Sequence, residues 1–159
     1  MFELSLVDES KIKVASIVKF ALRYLVTLTP VEGKASLYSY WSGNKKKIAE
    51  ESQEALDDYI DFCAKCLDDY FSAVKKRFLS YWTQDNSKLL SVISLNGFII
   101  AYTRQLKENG IQGFDFYDKK LEKLNVNFSK DSFAYTASHY RKFSHEILKE
   151  AFELDPDIV

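Results

Sequence analysis

Apolar side chains recur at helical spacing along most of the chain. Between Ser10 and about Leu28 this spacing predicts an amphipathic helix that Thr29-Pro30 ends. A short helix is expected from Lys34 to Trp41, before a break at Ser42-Gly43-Asn44. Residues 1–9 show no such spacing, and we predict that they are extended.

The longest periodic run extends from about Lys45 to Tyr81. When successive residues are placed 100° apart, its apolar and acidic side chains fall on opposite sides. The apolar side consists of Leu56, Tyr59, Ile60, Leu67, Tyr70 and Val74, and the other side of Glu54, Asp57, Asp61, Lys65 and Asp68. We therefore predict one long amphipathic helix whose acidic row is solvated. Carboxylates that serve a metal or acid–base site in a bundle would point inward.

The segment from Lys88 to Glu108 is apolar around most of its circumference, which predicts the central buried helix. Asp85-Asn86-Ser87 can cap its start, and Asn109-Gly110 is a typical left-handed stop. Gly97 inside this helix costs about 1 kcal/mol relative to alanine. That cost suggests that another backbone crosses close to Gly97.

Two shorter helices complete the pattern. One is predicted from Asp115 to Leu124, with Asp115 and Asp118 in a capping arrangement, and the last from Ala134 or Ser138 to Phe152. The chain shows no repeat, low-complexity tract or linker-like stretch. We expect one all-α domain over residues 1–159, a bundle of about five to six helices with a tail at residues 154–159.

Composition supports helices over many short strands. The 159 residues include 12 Phe and 10 Tyr but only 5 Gly and 2 Pro, which leaves little turn chemistry. The formal net charge of −1 excludes an overall basic field, so any nucleic-acid binding must come from a local patch. The apolar runs fall short of the ~20 residues that a membrane span needs. We predict a cytoplasmic protein with no membrane contact.

The two cysteines, Cys63 and Cys66, form a C-x-x-C pair in the middle of the long predicted helix. A redox pair of this kind normally lies at a helix N-terminus, where the helix dipole lowers a thiol pKa. A zinc site would need two more ligands. The spacing of His139 and His145 is at the edge of what a zinc finger tolerates, but the length of chain between the cysteines and these histidines does not resemble that of a finger. The helical wheel places Cys63 at the centre of the apolar face and Cys66 at its margin. We predict two core thiols, Cys63 the less accessible, and no metal or cofactor.

Two basic runs, one at each end of the long helix, are candidates for nucleic-acid binding. They are Lys45, Lys46 and Lys47 at its start and Lys75, Lys76 and Arg77 near its end. Such runs could bind phosphates, although they are more often part of a solvated surface.

Arg141 and His145, in the sequence RKFSH, raise a catalytic alternative. The pair is similar to the R-x4–6-H motif of the HEPN family of helical ribonucleases, although three residues separate Arg141 from His145. By this resemblance the two side chains would carry RNA cleavage.

From Tyr81-Trp82 onward the order of features resembles the C-terminal helical region of DGQHR-domain proteins, which include regulators of the Dnd DNA-phosphorothioation system. The matching segments are LLSVISLNGFIIAYTRQL, FDFYDKKLEKLNVNFS and YTASHYRKFSHEIL, with SIVKFALRYL upstream. The DGQHR motif itself does not occur in the sequence, so no functional residue can be carried over.

The resemblance implies a non-catalytic helical domain in a DNA-modification or phage-defence setting. Such a domain would act by contact with a protein partner, by self-association, or on DNA through the basic runs. The small HEPN-like ribonuclease remains the alternative.

Overall fold

The computed structural model describes residues 22–136 and 138–157. Within them all regular structure is helical. The eight described helices are α1 (Arg23–Leu25), α2 (Leu37–Tyr40), α3 (Lys45–Ala49), α4 (Gln53–Arg77), α5 (Leu79–Trp82), α6 (Val92–Asn109), α7 (Phe114–Leu121) and α8 (Tyr140–Phe152). The all-α prediction is confirmed, with more helices than predicted because several are short. The predicted extended residues 1–9, most of the Ser10–Leu28 helix and residues 158–159 lie outside the described part.

The single helix predicted from Lys45 to Tyr81 is three helices. Glu51 takes a left-handed conformation with a φ of 60°, which ends α3. Ser52 then begins α4, because its side chain accepts a hydrogen bond from the backbone N–H of Ala55. Phe78, with φ −117° and ψ 36°, separates α4 from α5. Neither break contains the glycine or proline that normally marks one in a sequence.

The predicted caps of α6 and α7 are wrong in position. Ser91, not the 85–87 segment, begins α6, where its side chain accepts from the N–H of Ser94. Gly113 begins α7 without a side-chain cap, and Asp115 lies in the first turn. The predicted stop is confirmed in position, because Gly110 ends α6 with a positive φ of 67° and donates its N–H to the carbonyl oxygen of Leu106. Its ψ of −162° lies outside the αL region of the usual glycine stop.

Helix α6 is the central helix of the described structure, as predicted. It packs along α8, while α4 packs along α7. All six residues from Ser94 to Ile99 are buried. The hydroxyl of Tyr70, on α4, donates to the carbonyl oxygen of Phe98, on α6, at 2.9 Å. This hydrogen bond connects the α4–α7 pair to the α6–α8 pair.

Gly97 allows a close approach between α6 and α8. A Cβ atom at this position would lie 2.3 Å from Cδ1 of Phe143. The close neighbour is therefore an aromatic side chain, where the sequence suggested a backbone. Phe143 is fully buried, so this contact fixes how closely α6 and α8 pack.

Candidate functional site

A cleft of about 680 Å³ lies between α1, the 33–35 segment, the C-terminal half of α6 and the first half of α8. Its basic side chains are Arg23, Lys34, Arg104, Lys107, Arg141 and His145. None of the described residues that line it is acidic. Five arginines and lysines thus share one concavity of a chain whose net charge is −1.

Helical geometry brings the basic side chains of two walls together. Arg104 and Lys107 are three residues apart on α6, and Arg141 and His145 are four apart on α8. These spacings put each pair on one face of its helix. Because α6 and α8 pack against each other, both faces open into the same cleft.

The third wall is held in place by buried groups. Leu25 at the end of α1 is fully buried. The hydroxyl of Tyr59, on α4, donates to the carbonyl oxygen of Val26 at 2.9 Å, and Ser36 Oγ donates to that of Thr27 at 3.0 Å. These contacts position Arg23 and Lys34 opposite α6 and α8.

Two polar contacts fix parts of the cleft lining. Arg104 donates from Nη1 to the carbonyl oxygen of Pro156, so the described end of the tail lies against α6. Ser144 is buried and its Oγ donates to the carbonyl oxygen of Arg141 at 2.7 Å. The Ser144 hydroxyl is therefore engaged with its own helix.

A cation lies over the face of an aromatic ring in the cleft. Lys34 Nζ is 3.8 Å from the centroid of the Tyr24 ring. The guanidinium carbon of Arg23 is 5.6 Å from the same centroid. Both distances are within the range of cation–π attraction.

None of the six basic residues selected from the sequence lines this cleft. Lys45, Lys46 and Lys47 are exposed on α3. Lys45 Nζ lies 5.1 Å from the centroid of the Tyr38 ring. A nucleic-acid role for this run stays a prediction.

The second basic run makes contacts within the fold. Arg77 donates from Nε to the carbonyl oxygen of Leu121 at 3.2 Å and from Nη2 to that of Leu124 at 2.8 Å. Lys76 Nζ lies 2.6 Å from a carboxylate oxygen of Asp118, and this hydrogen bond raises the pKa of Lys76. Arg77 therefore supports the end of α7, and a phosphate would compete with Asp118 for Lys76.

Both cysteines are core residues, as predicted, but their order of accessibility is reversed. Cys63 is 7% exposed and Cys66 is 3% exposed. Burial raises the pKa of both thiols, that of Cys66 to about 11, with smaller contributions from Cys63 and Asp69. A thiol with so high a pKa is a poor nucleophile at neutral pH.

The two histidines are separated in the fold. His139 lies at the start of α8, with its Nδ1 3.2 Å from Oγ1 of Thr136, whereas His145 lines the cleft. Within residues 22–136 and 138–157, no group of three or more His, Cys, Asp or Glu is placed to hold a metal ion.

The sequence did not reveal the cleft because its basic residues are scattered. Arg23, Lys34, Arg104 and Lys107 are not part of any basic run. The sequence does contain one sign of the cleft, which is the spacing that places Arg104 and Lys107 on one face of a helix and Arg141 and His145 on one face of another. Using it requires knowing that these two helices are neighbours.

Fold and site together define an all-helical protein with a basic cleft. Comparison of the chain with protein-family models, curated proteins and solved structures finds no match. Of the described helices, none combines the length and the apolar character needed to cross a bilayer.

Proposed function

We propose that the chain is a non-catalytic helical module that binds nucleic acid, with the basic cleft as its phosphate-binding site. The observation that carries this proposal is the convergence of five arginines and lysines on a cleft with no acidic residue in its described lining. Clustered cations bind a phosphate backbone because they release its condensed counterions. Contacts of this kind position a nucleic acid without reading its sequence.

The setting we propose is DNA modification or phage defence in the cytoplasm. The resemblance to the helical region of DGQHR-domain proteins supports a role in DNA modification or phage defence. The two cysteines are free and buried, which suits a reducing compartment and supports a cytoplasmic location. In that setting the chain would also contact a protein partner or a second copy of itself through surfaces outside the cleft.

A matched pair of charge variants tests the binding site. Lys107→Gln removes one charge from the cleft, and Lys46→Gln removes one from the exposed run on α3. Oligonucleotide affinity is measured by fluorescence anisotropy over a series of salt concentrations. We expect Lys107→Gln to weaken binding and to reduce the slope of log K against log salt by about 0.7–0.9, the value of one phosphate contact. Lys46→Gln should leave both quantities unchanged.

The reverse result would move the binding site to α3. Loss of affinity in Lys46→Gln, with Lys107→Gln at the wild-type level, would support the basic run predicted from the sequence. No binding by the wild-type protein at low salt would contradict nucleic-acid binding altogether.

A second candidate function is RNA cleavage by Arg141 and His145. The observation that favours it is that both side chains line the same cleft, one helical turn apart. In such a reaction His145 would take the proton of a ribose 2′-hydroxyl. The 2′-oxygen would form a bond to phosphorus, the bond to the 5′-oxygen would break, and the leaving oxygen would take a proton from water. Arg141 would stabilise the charge that develops on the phosphate.

Incubation of RNA with the wild-type protein and with His145→Ala separates the two functions. Our first proposal expects binding without cleavage by either protein. Appearance of 2′,3′-cyclic phosphate products, lost in His145→Ala, would replace it with the ribonuclease.

A further inference from the structure

We propose that the cleft takes a single strand of nucleic acid and stacks one of its bases on the ring of Tyr24. This inference rests on the nucleic-acid binding proposed above and names the form of nucleic acid. It draws on three features of the cleft: an accessible aromatic ring, a cation held over one face of that ring, and the size of the concavity.

Tyr24 is accessible and is not needed to fill the core. Its relative exposure is 36%, and it is outside the set of side chains that pack in or against the hydrophobic core. The neighbouring Leu25, in contrast, is fully buried. An aromatic ring in a basic cleft offers a face on which any of the four bases can stack.

A tight turn holds a phosphate-binding group next to this ring. The N–H of Lys34 donates to the carbonyl oxygen of Val31 at 3.0 Å, and Gly33 has a φ of 78°. A positive φ at the third of four residues is the signature of a type II turn, which favours glycine there. The turn presents Lys34 so that its Nζ lies over one face of the Tyr24 ring, 3.8 Å from the centroid. A base that stacks on this face takes the place of the ammonium group, which then lies beside the base and can bind its phosphate.

The pairing of ring and cation matches the chemistry of a nucleotide. Base and phosphate are tied together through one sugar, so a site for one needs a site for the other close by. Tyr24 would hold the base and Lys34 its phosphate. Arg104, Lys107 and Arg141 on the facing walls would hold the neighbouring phosphates.

The size of the cleft favours a single strand over a duplex. Its volume of about 680 Å³ lies in the range of pockets that enclose one small ligand. The bases of a duplex are paired and stacked inside the helix, and stacking one on Tyr24 would first require flipping it out. A single strand presents its bases without that cost.

The test compares two variants of Tyr24 on two ligands. The ligands are a single-stranded oligothymidylate and an abasic strand of equal length, which keeps the phosphates but lacks the bases. Loss of one stacked base weakens binding by about 5- to 150-fold. We expect a loss of this size for Tyr24→Leu on oligothymidylate and no change on the abasic strand. Tyr24→Phe keeps the ring and should bind both ligands like the wild type.

Equal weakening of both ligands by Tyr24→Leu would overturn base stacking. Because Tyr24 lies outside the core, its variants should unfold at the wild-type temperature, which circular dichroism checks. Binding that stays sensitive to Lys107→Gln while Tyr24→Leu has no effect would reject this inference and keep the proposed function. Binding insensitive to both variants would reject both.

Duplex and RNA ligands complete the experiment. We expect a duplex of matched sequence to bind at least about 10-fold more weakly than the single strand, since a base must leave the stack. Equal affinity for duplex and single strand would overturn the inference. DNA and RNA strands of matched sequence then identify the natural ligand by the tighter binding, and either result supports a single-strand site.

Discussion

The guanidinium of Arg77 connects the end of α4 to the end of α7 and the residues that follow it. Its two donors reach the carbonyl oxygens of Leu121 and Leu124. Lysine has a single ammonium group and cannot reproduce this fork. We therefore expect Arg77→Lys to lower the free energy of unfolding by about 1–2 kcal/mol, measured by urea denaturation, although the charge is kept.

The exposed Lys46 provides the control for Arg77. Lys46→Arg is the reverse exchange at an exposed position and should leave stability unchanged. The slope of oligonucleotide affinity against salt should stay at the wild-type value in Arg77→Lys. Unchanged stability with reduced affinity would instead assign Arg77 to a binding surface.

Cys63 and Cys66 show that a helical wheel predicts which side of a helix is buried but not which of two neighbouring residues is the more exposed. The wheel placed most of the inward face of α4 correctly, but it also placed there Ile60, which is 52% exposed, and it ranked Cys66 as the more accessible thiol. In the structure Cys66 is the more buried, and Tyr102 of α6 and Tyr117 of α7 both lie near enough to interact with it. Two partner helices widen the buried arc of α4, and the sequence of α4 alone does not contain that information.

At the scale of elements, Gly97 controls the packing of α6 on α8. An added Cβ would lie 2.3 Å from the Phe143 ring, which is fully buried and in contact with the rings of Phe98 and Phe128. Overpacking costs about 1–3 kcal/mol, and alanine regains about 1 kcal/mol of helix propensity. Gly97→Ala should therefore lower the free energy of unfolding by about 1 kcal/mol.

A double-mutant cycle separates the two effects in Gly97→Ala. In a Phe143→Leu background the ring is replaced by a smaller aliphatic side chain, so the added methyl group has room and the gain in helix propensity should remain. Chemical denaturation of the four proteins measures the coupling. If Gly97→Ala costs the same in both backgrounds, the Phe143 ring is not the obstacle.

Elements with strong periodicity were predictable, and the breaks and the cleft were not. The buried circumference of α6 and its stop at Gly110 follow from residue types alone. The break at Glu51 depends on a left-handed conformation that glutamate rarely adopts, so composition gives no sign of it. The cleft depends on the pairing of α6 with α8, which brings Arg104 and Arg141 into one cleft although 36 residues separate them in the sequence.

For the whole molecule, the core contains phenols and thiols that are ionisable yet buried. Burial raises the pKa of Cys63, Cys66, Tyr59, Tyr70, Tyr102 and Tyr117. In the unfolded chain the same groups lose their protons at about pH 8.5 for cysteine and pH 10 for tyrosine. In alkali the unfolded state therefore binds fewer protons than the folded state, so stability falls as pH rises.

This linkage predicts that the free energy of unfolding falls over two successive pH ranges in alkali. The free energy of unfolding should begin to fall near pH 8.5–9 as the thiols of the unfolded chain ionise, and more steeply above about pH 10 as its tyrosines follow. Urea denaturation at a series of pH values from neutral to about pH 11 measures the curve. In the double variant Cys63→Ala, Cys66→Ala the first stage should disappear, because only the tyrosine contribution remains. A variant curve that still falls from pH 9, or a wild-type curve that stays flat to pH 11, would mean that these groups do not control stability in alkali.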